Sequence, residues 1–326
     1  MKIRILYVIV LCLTTAGAWS QKPGLKVIFE GIGDNREFSG GHSLSQTILG
    51  TRGSLLATFQ KDNHNLTAGF SHLYEFGSQP DNQKPEIILF YKYSGQKKTF
   101  HFGSFPRRDL INFPLAMLTD TLLYYRPNVQ GMRGEISWGW GTQNAWVDWT
   151  GRQSPMVREA FTAASSGKIS ARQFSLLNYF LLNHLAHSRP RQPHEHVNDN
   201  LGFALLAGWE SRDTAAWTGY LKAGVLGSAF RERSVTPGTE TAVSLFAESQ
   251  VRHRELAWKN TFHSGEGHVF LAGDPFYRRG NYLRSDLIWY FIRHKNINGR
   301  FNISFHLTEW KDLDQSQQLT VIFIID

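Results

Sequence analysis

Arg300-Phe301-Asn302-Ile303-Ser304-Phe305-His306-Leu307-Thr308 is the stretch on which the reading of this chain turns. Phe301, Ile303, Phe305 and Leu307 alternate with polar neighbours, so an extended backbone puts an apolar row on one face and a polar row on the other. A period of two excludes a helix. The same beat returns at Leu66/Ala68/Phe70, Phe100/Phe102, Ile136/Trp138/Trp140, Ala145/Val147/Trp149, Leu201/Phe203/Leu205/Ala207/Trp209 and Trp217/Gly219/Leu221/Ala223/Val225. A chain patterned this way over most of its length is all-β.

The first residues differ. Lys2 and Arg4 precede the apolar run Ile5 to Leu13, and Ala16-Gly17-Ala18 offers the small residues of a cleavage site. Residues 1–18 therefore read as an export signal and 19–326 as a single domain. Cys12, the one cysteine, sits in that run behind Leu11, which is too bulky for lipoprotein processing. The mature chain then has no disulfide, thiolate metal site or cysteine nucleophile.

After the leader no run of about 18 apolar residues could cross a bilayer as a helix. A barrel could: in lipid only helices and closed barrels satisfy every backbone hydrogen bond, and a barrel strand needs only alternate residues apolar. The 41% hydrophobic content suits a barrel and a water-soluble sandwich equally, but 13% aromatic content with 10 Trp leans toward the barrel, whose Trp and Tyr gather at the headgroups. Without Lys2 and Arg4 the 35 basic residues become 33 against 27 acids, a net charge of +6. Lining a pore, that excess favours anions. The basic residues are dispersed in pairs with no nucleic-acid motif, so no nucleic-acid partner is expected.

Short polar clusters punctuate the runs: Lys61-Asp62-Asn63, Ser94-Gly95-Gln96-Lys97, Gly141-Thr142-Gln143-Asn144, Asn296-Ile297-Asn298-Gly299 and Asp312-Leu313-Asp314-Gln315. These predict tight antiparallel turns. Longer connectors are expected at 30–43, 105–121, 188–200, 231–239 and 264–280, gathered at the opposite end. The spacing predicts 14 to 18 strands, and sixteen best fits the even number of a bacterial barrel. Two segments carry both helical and strand spacings. Residues 110–125 read as a lumen-folded loop with a helical turn; residues 174–185 read as a strand, or as a helix packed on the sheet.

Four tryptophans, Trp138, Trp140, Trp146 and Trp149, fall on one predicted hairpin. They suit an interface belt, or a platform for sugar rings. Trp146 leaves the apolar register beside Asp148, so that pair points to a lumen. With them, Arg107, Arg108, Arg126, Arg252, Arg254 and Arg284 are the candidates for a solute path, where arginines facing acids create a transverse field. Arg252 and Arg254, two apart, would share a strand face.

Other constellations favour simpler readings. His194-Glu195-His196 with Asp199 has metal-like spacing, but Pro190 and Pro193 argue for a loop and no third ligand is spaced for it. Gly41-His42-Ser43-Leu44-Ser45 approaches a nucleophile elbow, yet lacks its final glycine and the following helix. Acid pairs drawn from Asp148, Glu159, Glu248, Glu255 and Asp286 could serve glycoside cleavage only if the fold brought them together. No catalytic residue, metal or cofactor is expected.

The leader, the cysteine-free mature chain, the alternating strands and the aromatic strand ends resemble Gram-negative outer-membrane β-barrel proteins of the porin-like kind. Gly103-Ser104-Phe105-Pro106-Arg107, Tyr125-Arg126-Pro127-Asn128 and Val147-Asp148-Trp149 look like recurring elements of such a barrel. The resemblance implies an antiparallel transmembrane β-barrel in the outer membrane, meeting outer-membrane lipids and the barrel-assembly machinery, and acting as a non-enzymatic channel for small solutes with a bias toward anions. One departure is Asp326, which stands where such barrels carry a terminal aromatic residue. Two alternatives share the strands: a secreted carbohydrate-binding protein or glycoside hydrolase, and a structural barrel with a filled interior.

Overall fold

The computed structural model describes residues 22–79, 84–211 and 216–326; the expected leader, with Cys12, lies outside them. Sixteen strands appear in chain order: Lys22–Glu37 (β1), Gln46–Lys61 (β2), His64–Glu75 (β3), Glu86–Ser94 (β4), Lys98–Pro106 (β5), Asn128–Trp138 (β6), Gly141–Gly151 (β7), Ala160–Ala171 (β8), Phe174–Leu185 (β9), Asn198–Glu210 (β10), Trp217–Glu232 (β11), Glu240–His253 (β12), Leu256–Gly265 (β13), Asn281–Arg293 (β14), Ile297–Thr308 (β15) and Asp312–Ile325 (β16). Each pairs antiparallel with its chain neighbours, and β1 closes on β16, so the expected sixteen-strand barrel is the observed one. Closure leaves no strand edge unpaired in lipid.

Alternation works as expected. In the opening stretch Phe301, Ile303, Phe305 and Leu307 face outward, while Asn302, Ser304, His306 and Thr308 are buried on the inner face. Exposed outward residues such as Leu66, Phe70, Leu201, Leu205, Leu245 and Leu287 make the lipid belt. Segment 174–185 is strand β9.

The two ends of the barrel differ. Two-residue turns at Asp62 and Asn63, Gly139 and Trp140, Arg172 and Gln173, and Arg254 and Glu255 lie at the end where β1 begins and β16 finishes. The connectors 38–45, 107–127, 186–197 and 266–280 lie at the other, here called the loop end. Trp138, Trp140, Trp209, Trp217, Trp258 and Trp289 sit near the turn end, partly or largely exposed, and Trp149 near the loop end.

Several boundaries correct the sequence reading. The hairpin turn expected at Gly141 to Asn144 is Gly139 and Trp140, and Gly141 opens β7. Asn298 and Gly299 lie in β15, and Asp312 opens β16. The turn before β16 is made by Glu309 and Trp310 at φ 51° and 59°, residue types that carry no turn signal. The connector expected at 30–43 is strand as far as Glu37, because that stretch pairs with both β16 and β2.

Loops 107–127 and 266–280 fold into the barrel. Phe113, Met117, Phe270, Phe276 and Tyr277 pack against inward-facing Trp146, Leu181, Ala204, Leu226 and Phe246 in one buried cluster. Each large apolar side chain removed from water there contributes roughly 1.5–3 kcal/mol. The loops also bond to each other, Thr119 N to Ala272 O at 2.8 Å and Asp274 N to Leu115 O at 2.9 Å. Leu122–Tyr125 is the one helical turn anticipated within 110–125. Asn200 fastens the second loop to the wall: its Nδ2 donates to Val269 O at 2.6 Å and its Oδ1 accepts from Leu271 N at 3.0 Å. The loop-end half of the interior is therefore filled, and the turn-end half keeps charged groups such as Lys222, Glu248 and Lys259.

Candidate functional site

Most of the expected lumen residues are inside the barrel, and they hold loops. Arg107 donates to Asp148 at 2.6 Å and to Arg126 O at 3.1 Å, with its guanidinium 5.9 Å from the Trp146 ring centre. Arg126 reaches the same carboxylate at 3.5 Å. Asp148 further accepts from Gln130 N at 2.9 Å. Arg108 pairs with Glu30. Arg284 donates to Asp286 at 2.8 Å and Ser304 at 3.2 Å, and lies 4.0 Å from Asp274 of the inserted loop.

The Arg252 and Arg254 expectation is corrected. Arg252 is in β12, 4.9 Å from the Tyr290 ring centre, but Arg254 occupies the two-residue turn at φ 51°, so the two do not share a strand face. His194 and His196 lie in the 186–197 loop. Glu195 between them accepts from Ser188 N, Ser188 Oγ and Gln192 N. Burial pushes that carboxyl up, and these hydrogen bonds outweigh it, leaving it at about 2. Among the described residues no three metal-ligating side chains gather.

A space of about 330 Å³ remains inside, lined by Lys26, Glu30, Arg52, Arg108 and Asp109 among others. Its charged wall is what a solute path needs. Above it Arg52 donates to Tyr124 O, which ties the wall to the inserted loop.

The outer face holds a second polar assembly, which the sequence reading did not single out. On β16, β1 and β2, the outward register that carries Leu319 and Leu49 continues toward the loop end as Gln317, Gln315, Asn35, Glu37 and Thr47. These side chains form one network. Asn35 Nδ2 donates to Gln317 Oε1 at 2.7 Å and to Glu37 Oε1 at 3.0 Å, Gln315 Nε2 donates to Glu37 Oε2 at 2.7 Å, and Thr47 Oγ1 donates to Asn35 Oδ1 at 2.7 Å. Polar groups facing lipid are costly unless paired, and pairing here is complete enough to keep the amides and the carboxylate in place. Just below, Gly31 and Gly33 leave the wall bare between Leu319, Val321 and Leu49.

The 38–45 loop builds a pocket against this network. The pocket, about 600 Å³, is lined by Glu37, Ser39, Ser45, Asp314 and Gln315 together with lipid-facing Phe305 and Leu313. Buried Asp314 fixes the loop by accepting from Ser39 N at 2.6 Å, Gly40 N at 3.2 Å and Ser39 Oγ at 3.1 Å. A serine hydroxyl is thus held on a carboxylate beside a lipid-exposed opening. His42 is not its partner: Nε2 lies 3.3 Å from Asp312, and Nδ1 accepts from Arg279 at 3.1 Å. No helix follows Gly41 to Ser45, so the nucleophile-elbow reading fails; of that segment Ser45 lines the pocket, its Oγ accepting from Phe38 N at 2.9 Å and donating to Phe38 O at 2.8 Å. The signal that could have found the site was Gln315 and Gln317 falling in an apolar register, which was hidden while 312–315 read as a turn.

Comparison with known proteins adds a family and a fold. Residues 21–324 match the family described as lipid A 3'-O-deacylase-type. No curated protein matches. Among solved structures, Salmonella typhi OmpF in complex with daunomycin is similar at TM-score 0.53 and 12% identity over 92% of this chain and 97% of that one. Acinetobacter baumannii OccAB3 gives 0.55 and 8% over 93% and 99%. Pseudomonas aeruginosa OccK1 (OpdK) gives 0.55 and 9% over 93% and 98%. At these identities the likeness is one of architecture: a closed barrel of the porin-like, outer-membrane type.

Proposed function

We propose, because this chain belongs to the lipid A 3'-O-deacylase-type family, that it works from its lipid-facing side, on an ester-linked acyl chain of a lipid A-class glycolipid in the outer leaflet. The observation that carries this reading is the hydrogen-bonded network of Asn35, Glu37, Gln315 and Gln317 on the outer face at the loop end, beside a pocket open to lipid. In a bacterial outer membrane long loops face the exterior, so the pocket stands at the level of the outer headgroups.

The chemistry is acyl transfer followed by hydrolysis. Ser39 Oγ attacks the ester carbonyl and Asp314 takes its proton; the sugar hydroxyl leaves with that proton, and water then cleaves the acyl-serine. Gln315 keeps one amide N–H beyond its bond to Glu37 and offers it to the developing oxyanion, while Asn35, both of whose N–H groups are spent on Gln317 and Glu37, holds that carboxylate in place. The bare strip at Gly31 and Gly33 receives the acyl chain. A carboxylate is a weaker base than histidine, so turnover is slow.

The test is release of 3-hydroxy fatty acid from lipid A in mixed micelles by the purified barrel. Wild type releases it, Ser39→Ala and Asp314→Asn lose at least 100-fold, and Thr47→Val loses less than 10-fold. Absence of release by well-folded wild type would remove the enzymatic reading.

A second reading, a non-enzymatic anion-biased channel, is favoured by the charged space of about 330 Å³ around Glu30, Arg52 and Arg108. It requires loops 107–127 and 266–280 to move, since they fill the loop-end half of the lumen.

A further inference from the structure

A separate feature lies on the wall formed by β6 to β12. Met132, Val147, Ala163, Leu182, Leu201, Ala229 and Thr241 are successive cross-strand partners, so they form one row running across the outer face. Next to it toward the turn end run Gly134, Ala145, Ser165, Phe180, Phe203, Gly227 and Val243, also partners in sequence. Small side chains at Gly134, Ala145, Ala163 and Ala229 make these rows concave, a groove of about 830 Å³. A Cβ at Gly227 would come within 2.2 Å of the Phe203 ring that floors the groove, so a larger residue there would displace that ring.

The row on the loop-end side is different in kind. Trp149, Phe161, His184, Asp199 and Arg231 are again consecutive partners. Trp149 stacks on Phe161 at 5.5 Å, and Phe161 lies 5.1 Å from the His184 ring. His184 Nδ1 is 2.8 Å from Asp199 Oδ1, and Arg233 donates to the other oxygen at 2.7 Å. Arg231 is exposed and has no ion-pair partner among the described residues. An apolar groove is thus overhung by a ledge that runs from flat aromatic rings to a free guanidinium.

We infer that this groove and ledge are a second lipid site, distinct from the Ser39 pocket, which seats an anionic glycolipid with an acyl chain in the groove, its sugar against Trp149 and Phe161, and its phosphate on Arg231. Charge complementarity selects the occupant: the neighbouring Asp199 is already engaged by Arg233 and His184, which leaves the Arg231 guanidinium without an ion pair among the described residues, and guanidinium recognises phosphate in a two-pronged geometry. The neighbouring aromatic faces suit a sugar ring, which a plain phospholipid lacks. A second copy of the chain is the competing occupant, but the polar side chains near the groove, Gln143, Ser165 and Asn178, already satisfy one another at 2.8 and 3.1 Å and call for no partner.

The experiment is native mass spectrometry of the detergent-purified barrel titrated with bisphosphorylated lipid A, and in parallel with phosphatidylethanolamine. Wild type retains lipid A in preference to phosphatidylethanolamine. Arg231→Glu weakens lipid A retention at least tenfold, Ala163→Trp and Ala229→Trp do the same by filling the groove, and Leu287→Ala, on the outer face of β14 away from both sites, leaves it unchanged. Should a filled-groove variant fail to fold, Ala229→Cys labelled with bimane serves instead, its fluorescence quenched by lipid A carrying brominated chains. Equal retention of both lipids, retention indifferent to Arg231→Glu, an unquenched label, or a wild-type dimer or trimer that Ala229→Trp dissociates would each overturn the assignment.

Discussion

The Arg107 guanidinium and the Asp148 carboxylate meet at 2.6 Å with both side chains only 3% exposed, and this pair anchors the start of the 107–127 loop to the inner wall. Breaking a buried pair costs about 3–5 kcal/mol, and removal of Arg107 falls at the low end because Asp148 keeps Gln130 N at 2.9 Å and Arg126 at 3.5 Å. Arg107→Ala is expected to lower the urea midpoint of the detergent-folded barrel and to raise single-channel current, because the loop loses its anchor. Bilayer recording and urea titration of the same preparation check both.

Gly202 on β10 gives an orthogonal way to loosen the plug. A Cβ there would come within 2.4 Å of the Phe270 ring and 3.2 Å of Met117 Cε, one buried side chain from each inserted loop. Gly202→Leu is expected to push both loops outward while leaving the strands paired. Limited proteolysis should then cut within 266–280 at least tenfold faster than in wild type.

The docking of that loop carries a pH dependence. Burial raises the Asp274 carboxyl to about 6, against the opposing charge of Arg284. A carboxyl raised on folding keeps its proton in the docked state between its ordinary value and about 6. Docking is therefore strongest in acid, weakens as pH climbs through that window by up to about 3 kcal/mol, and is level above it. Asp274→Asn should flatten the difference in urea midpoint between pH 4 and pH 7.5, compared with wild type.

Gly103 on β5 has φ 118°, and a Cβ there would lie 2.2 Å from Leu89 O of β4. Gly103→Ala is expected to disturb the β4 and β5 pairing and to leave most of the protein in the unfolded, heat-insensitive band on a gel.

How much of this was legible in the sequence follows from which physical signals act locally. The alternation of Phe301 to Leu307 reports which side faces lipid and yields the strands; their number came from turn spacing with the even count of a bacterial barrel, and closure from the need to satisfy every backbone hydrogen bond in lipid. The inward pairing of Trp146 with Asp148 was legible from the same register. The plug was half legible: 110–125 showed conflicting periods because its apolar residues pack in three dimensions against Trp146 and Tyr179. Arg254 was misplaced because a two-residue turn at positive φ leaves no mark in an Arg-Glu pair. The outer network escaped notice because it depends on β16 meeting β1, residues nearly the whole chain apart, as in Asn35 with Gln317.

The account stands most directly on the mass of lipid A extracted from cells that express this protein. With wild type, a share of lipid A is expected to be lighter by one ester-linked acyl group, and the heavier species is restored by Ser39→Ala. Lipid A of unchanged mass in cells whose outer membrane contains the folded wild-type barrel would contradict it.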